Sequence, residues 1–235
     1  MWKGNLLSSG TNAKTVKGDK ASEYLTAIMY LAPADLAGVI NVCPMAELAK
    51  CKAPCLNLSG RGRFNNVQLA RIRKTRWYAE DRTRFVWQLR DDLTKFVRYC
   101  DKVGKKPAVR LNGTSDIMWE VVAPSLFTDF PDIQFYDYTK IYKRAYAKLP
   151  ENYHLTLSYS GANQDYAQAV ALAHAKTGVN MAVVFRTKEL RQASGAIDGD
   201  ETDLRFLDPK GVVVGLYAKG KAKTDTSGFV IDTTV

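Results

Sequence analysis

Six short apolar runs punctuate this chain, Glu23 to Pro33, Pro107 to Leu111, Ile133 to Tyr138, His154 to Tyr159, Met181 to Phe185 and Val212 to Ala218, and the last five turn abruptly polar at their C-terminal ends. Runs of this length, rich in β-branched and aromatic residues, read as strands. Helical patterns stand between most of them, and that alternation implies parallel strands joined by crossovers. Continuously apolar centres suit strands that helices cover. The fold class that follows is α/β, a partial (βα)6-type barrel with mostly parallel strands. No Gly-x-Gly-x-x-Gly follows a strand, which argues against a dinucleotide-binding sheet.

The longest helical periodicity runs from Asn65 to Val103. Asp81 reads as a cap that divides it in two, and Gly104 as the stop of the second helix. Ile141 to Leu149 and Gln164 to Lys176 read as further helices. Residues 1–20 are polar and read as an N-terminal arm, leaving 21–235 as a single barrel-like domain. The segment 191–211 interrupts the alternation with turn chemistry and reads as a lid or hairpin.

Three of the four cysteines fall in one stretch, Cys43, Cys51 and Cys55, spaced C-x7-C-x3-C. Short loops between thiols cost little to close. Three thiolates with one open position suit an iron–sulfur cluster; they also suit zinc with a fourth ligand. Free thiols or one disulfide are the metal-free alternative. In a reducing cytosol, clustered cysteines point to metal or catalysis before disulfides. Neither His154 nor His174 offers itself as a fourth ligand. Cys100 reads as a buried structural thiol.

Ligands of parallel α/β folds sit at the carboxyl ends of the strands. Reading those ends gives Asn112, Asp116, Asp137, Lys140, Ser160 and Arg186, beside Arg110, Tyr138, Ser158, Lys219 and Lys221. Asp116 and Lys140 are the acid–base candidates, being ionisable and just past strand ends. Arg61 lies in a Ser-Gly-Arg-Gly-Arg turn before a helix, the setting of an anion site or simply a tight turn with solvated arginines.

Net charge is +10, so polyanions are the expected partners, nucleic acid or a nucleotide first. Six basic residues and no acidic ones occupy Arg61 to Arg76. Arg71, Arg73, Lys74 and Arg76 could track a phosphate backbone, with Trp77 stacking a base; the alternative is a solvated face over a core tryptophan. No apolar run is long enough for a membrane span, and the N-terminus lacks a secretory h-region. The chain therefore reads as cytoplasmic.

Cys43 through Cys55-Leu-Asn-Leu-Ser-Gly-Arg-Gly-Arg-Phe64, Arg110-Leu-Asn-Gly-Thr-Ser-Asp116, Tyr136-Asp-Tyr-Thr-Lys140, Asp198-Gly-Asp200 and Ala218-Lys-Gly-Lys221 together resemble the bacteriophage gene product 88 family, from about Gly10 to Ile231. That resemblance implies a phage-encoded protein expressed in a bacterial cytoplasm. The cysteine loop and strand order are more distantly similar to radical S-adenosylmethionine barrels. Those carry a three-cysteine iron–sulfur cluster after the first strand, with S-adenosylmethionine as second cofactor. Their spacing is C-x3-C-x2-C, and the Gly-Gly-Glu-type motif that holds the methionine end is absent here. The leading expectation is an iron–sulfur enzyme of barrel type acting on an anionic substrate. Its rivals are a non-catalytic protein that binds DNA or RNA through the basic helix, and one that binds and inhibits a host protein.

Overall fold

The computed structural model describes residues 4–10 and 13–232. In chain order the elements are β1 (Leu7–Ser9), α1 (Ala13–Ala21), β2 (Tyr24–Met29), α2 (Asn65–Glu80), α3 (Arg82–Val103), β3 (Lys106–Arg110), α4 (Trp119–Val122), α5 (Ser125–Asp129), β4 (Gln134–Thr139), β5 (Tyr153–Ser158), α6 (Gln164–Thr177), β6 (Met181–Phe185), α7 (Lys188–Ala193), β7 (Ile197–Asp198) and β8 (Val213–Tyr217). Among the described residues these strands form one sheet, ordered β1-β2-β3-β4-β5-β6-β8-β7. Only β1 runs antiparallel to its neighbour. Six parallel strands, β2 to β6 and β8, follow one another in chain order, the progression of a partial barrel. The sheet is open, with β1 and β7 at its edges.

Register sorts every strand residue onto one of two faces. Ala27, Val109, Phe135, Tyr153, Leu157, Met181 and Val213 lie on one face, linked pair to pair across neighbouring strands or two residues on. The helices cover that face. Buried Phe85, Leu89, Leu93, Phe96 and Cys100 recur along α3 at three- and four-residue steps and join Ala27, Val109 and Phe135 in the main core. Tyr166, Val170 and Ala173 of α6 do the same over Leu157. Asp81 caps α3 by accepting from the Arg84 amide at 3.0 Å, and Gly104 closes it in the left-handed conformation, φ 66°.

Filling the opposite, inner face falls to other parts of the chain. Segment 200–208, read from sequence as part of a lid or hairpin, is a plug beneath the sheet. Asp203 accepts from Arg110 Nη1 at 2.8 Å. Leu204 packs with Ala108 and Tyr136, and the Phe206 ring stands edge-on to Tyr24 and Tyr136. From α1, Asp19 accepts from Thr26 at 2.7 Å. His154 also lies on this face. Burial first, then the charge of Arg205, depresses its pKa to about 4.

Two stretches depart from the sequence reading. The polar lead-in carries β1 and α1, because neighbours hold its backbone: Asp92 accepts from the Leu6 and Leu7 amides, and Lys74 Nζ donates to the Leu6 carbonyl at 2.9 Å. The expected helix at 141–149 is only a 3-10 turn, Tyr142–Tyr146, pinned by its buried Arg144, which pairs with Glu120 and Asp116.

Replacing Asp92 by Ala removes the acceptor of the buried Leu6 amide and the half-buried Leu7 amide and a counter-charge of the buried Lys74 ammonium. It is expected to cost about 2–4 kcal/mol, read as a lower urea midpoint. His154 is held neutral in the folded chain, so between pH 6.5 and about 4 the unfolded chain binds the extra proton. Stability therefore falls as pH drops through that window, by at most about 3 kcal/mol. His154→Gln should flatten the fall, measured as the difference between wild-type and variant unfolding free energies at pH 7 and pH 4.5.

Candidate functional site

Cys43, Cys51 and Cys55 lie on the loop that leaves the carboxyl end of β2. Cys43 Sγ points at the Thr114 carbonyl, 3.7 Å away. The chain turns back at Lys50, a non-glycine residue at φ 50°. Backbone in this region is strained, and it persists where surroundings fix it. Ser160, fully buried after β5, does so by donating to the Ala49 carbonyl at 2.7 Å. Cys55 accepts from the Asn57 amide at 3.5 Å.

The three thiols are neighbours. Burial pushes Cys43 up to about 12, and the charges of Asp116, Cys55 and Cys51 add to the rise. Burial raises Cys51 and Cys55 as well, while Lys140 pulls both down and Arg71 also pulls Cys55 down. Thiolates at this place thus have two cations within reach. Among the described residues no group of three or more His, Cys, Asp and Glu side chains is arranged to hold a metal ion. A single zinc draws its sulfurs to about 2.3 Å from one centre, and these thiols do not fit that.

The other strand ends complete the mouth. Lys140 continues the inner face of β4 beyond Tyr136 and Tyr138. Its ammonium donates to Ser158 Oγ at 2.5 Å and lies 5.0 Å from the centre of the Phe229 ring. Phe229 belongs to a C-terminal segment that folds back over the mouth: Gly161 N donates to Gly228 O at 3.0 Å, and Ile231 N to Val184 O at 2.8 Å. Where the segment starts, Gly220 (φ 55°) comes so near Ser59 that an added Cβ would lie 2.3 Å from its hydroxyl. The chain beyond the last strand therefore meets the chain beyond the cysteine loop, although the sheet itself stays open.

Several sequence-selected residues support this mouth rather than line it. Asp137 sits on the helix face, one residue out of phase with Tyr138; its carboxylate accepts from Asn112 N at 2.8 Å, Asn112 Nδ2 at 3.1 Å and the Tyr153 hydroxyl at 2.9 Å. Burial raises its pKa to about 7. Asn112 in turn fixes the loop to Ile117 through its side chain. Arg186 donates to the carbonyls of Ala222, Lys223 and Asp225 and so anchors the C-terminal segment. Asp116 accepts from Lys140 N at 2.7 Å and Thr139 Oγ1 at 2.8 Å, and pairs with Arg144. Burial still pushes its pKa up. Arg61 is exposed on the 3-10 turn Gly60–Arg63.

The basic run of α2 does not form one stripe. Arg71 and Lys74 are buried, while Arg73 and Arg76 are exposed. Arg71 bonds Asn57 and stacks over Tyr30; Lys74 holds Leu6. Helical spacing explains the split, since Arg71, Lys74, Thr75 and Tyr78 share the inward face at three- and four-residue steps. Phe229 and Arg144 were missed in the sequence. Arg144 carries no local signal, and Phe229 lies in a tail without periodicity. A groove lined by Trp77, Asp81, Trp87, Gln88 and Asp91 lies on the outer helices, away from the mouth.

Fold and mouth define an α/β protein with an open, mostly parallel sheet in barrel-like strand order, with three partly buried thiols and a lysine at its carboxyl end. The chain matches the gene product 88 family over residues 5–233 and belongs to that bacteriophage family. No curated protein and no solved structure matches it, and the expected likeness to radical S-adenosylmethionine barrels is not supported. Among the described residues no helix is long and apolar enough to cross a membrane.

Asp116→Ala removes the acceptor of a backbone amide, a hydroxyl and a guanidinium, all buried. It is expected to cost about 2–4 kcal/mol in urea unfolding, whereas Lys140→Ala should cost about 1 kcal/mol or less, since only a hydroxyl partner is lost.

Proposed function

We propose that this phage protein is an iron–sulfur enzyme whose barrel mouth acts on an anionic substrate. Cys43, Cys51 and Cys55 are its cluster ligands and Lys140 its substrate-facing cation. The observation that carries the reading is the gathering of three thiols, from one loop, beside Lys140 and Arg71 at the carboxyl end of a parallel sheet. Three cysteine ligands leave one iron of a cubane open to bind and activate a small molecule. Buried thiols are protonated on their own; two nearby cations favour their deprotonated, ligating form.

The chain's own residues have distinct tasks in this reading. Lys140 takes the anionic group and is the acid–base candidate that faces the mouth. Asp116 is a positioning residue, acting through the Lys140 amide and Thr139. Phe229 and the segment around it cover the ammonium and exclude water, which strengthens its charge interactions. Ser160 keeps the cysteine loop in place.

Anaerobic purification followed by iron and sulfide analysis tests the reading. The expected result is three to four irons per chain, by the usual cluster composition, with broad absorption near ~400 nm. Cys43→Ala, Cys51→Ala and Cys55→Ala should each lose the colour and keep a native far-ultraviolet dichroism spectrum. A colourless, iron-free protein, or one holding a single zinc, overturns it.

A further inference from the structure

Below Lys140 the inner face holds donors that no partner among the described residues answers. Tyr138 follows Tyr136 and precedes Lys140 on the inner side of β4. Its hydroxyl is buried without a hydrogen-bond partner. Arg110, from β3, lies over the Tyr138 ring at 5.0 Å. Its Nη1 is taken by Asp203, and its Nε is buried without a partner. Arg205 of the plug, 1 % exposed, also leaves its Nε unanswered; burial and then the Asp203 charge raise the pKa of the Tyr138 phenol, Arg205 and Arg110 oppose that, and Asp208 adds to it.

A buried donor left unpaired costs about 1–3 kcal/mol, and native interiors rarely keep one. Here three donors share one face of the sheet, between a plug that pairs part of Arg110 and a mouth crowned by Lys140. Asp203 takes Arg110 Nη1 at 2.8 Å and Asp208 lies 3.2 Å from Arg205 Nη1, but no acceptor among the described residues reaches the Tyr138 hydroxyl or the two Nε atoms. Arg110, Arg205 and Lys140 outnumber those two carboxylates, which favours a negatively charged acceptor.

We propose that the inner face below the mouth binds an oxyanion, the phosphate or carboxylate of the substrate, between Lys140 above and the Tyr138 hydroxyl and Arg110 Nε beneath. This places the substrate's charged end inside the barrel and its remainder toward the three thiols. The proposal rests on reading the carboxyl end of the strands as the ligand-binding end. It does not require the metal.

Isothermal titration calorimetry with inorganic phosphate and, separately, with acetate tests it on wild type, Tyr138→Phe and Lys140→Met. Saturable binding of one or both anions is expected, the stronger of the two identifying the group. Tyr138→Phe, which leaves the surface charge unchanged, should weaken it about tenfold or more, and Lys140→Met should weaken it further. Without anion, Tyr138→Phe should melt at or above the wild-type temperature, because the lost hydroxyl had no partner. Equal affinity in wild type and Tyr138→Phe would mean surface adsorption by a basic protein and overturns the site. So does the absence of saturable binding, or a lower melting temperature for anion-free Tyr138→Phe, which would place a structural bond, to protein or water, on that hydroxyl. Iron content measured on the same preparations separates the two ideas: iron without anion binding removes the oxyanion site alone, and anion binding without iron removes the cluster alone.

Discussion

A parallel sheet whose strands follow in chain order brings all its right-handed crossovers to one side. That constraint shapes everything else in this molecule. It gives the helices a single face to cover, and α3 and α6 cover it with apolar stripes. The other face must be filled from outside the alternation. Helix α1 and segment 200–208 supply the filling, and they do it largely with polar groups. Arg110 against Asp203, Asp19 against Thr26, and Arg205 beside Asp208 at 3.2 Å form a charged interior where a closed barrel would have apolar layers. Burial alone would lower the Arg110 pKa; the Asp203 carboxylate and the Tyr136 and Tyr138 phenols hold it raised. Such pairs contribute little net stability, yet losing one partner is expensive. The interior therefore fixes the register of plug and sheet more than it deepens the stability well.

Much of the fold was legible because its signals are local. The periodic apolar stripe of α3, the Asp81 cap and the Gly104 stop come from neighbours within a few residues, and five of the six parallel strands fall within a residue or so of the apolar runs that announce them. The first apolar run continues four residues beyond the end of β2 at Met29. What escaped is long-range. Strand β1 has three residues and α1 is mostly polar; β1 is held by Asp92 and Lys74, some seventy to ninety residues away, and α1 by Asp19 bonds to Thr26 and Lys105. The plug escaped for the same reason, since nothing in Asp203-Leu204-Arg205 says which face of which sheet it will meet.

The mouth shows a different kind of limit. Strand ends pointed to the right end of the barrel, but a polar residue past a strand has two faces to choose from. The period of two was there to be read: Tyr136, Tyr138 and Lys140 share a face, and Asp137 belongs to the other. The same holds for α2. Once Tyr78 is set inward, Arg71, Lys74 and Thr75 follow it by helical spacing, and the run of positive charge divides between core and solvent. Charge counted along a sequence measures attraction to polyanions only when the helix presents it on one side.

That division also changes what the basic residues are for. Arg71 enters the protein to bond Asn57, just past Cys55, and to sit where its charge acts on that thiol. Lys140 also acts on Cys51 and Cys55, although the Asp116 carboxylate lies beside it as a counter-charge. A buried guanidinium beside partly buried thiols is costly if the thiols stay neutral, because it loses hydration with little counter-charge in return. Burial indeed lowers the Arg71 pKa, and the counter-charges of Tyr30 and Cys55 offset only part of it. The arrangement becomes favourable when negative charge enters the mouth. In the proposed reading, thiolates on a cluster would supply it at the rim and an oxyanion on Lys140, Tyr138 and Arg110 one layer deeper. The two would draw on Lys140 from two depths, and being of like charge they would share that cation rather than reinforce each other.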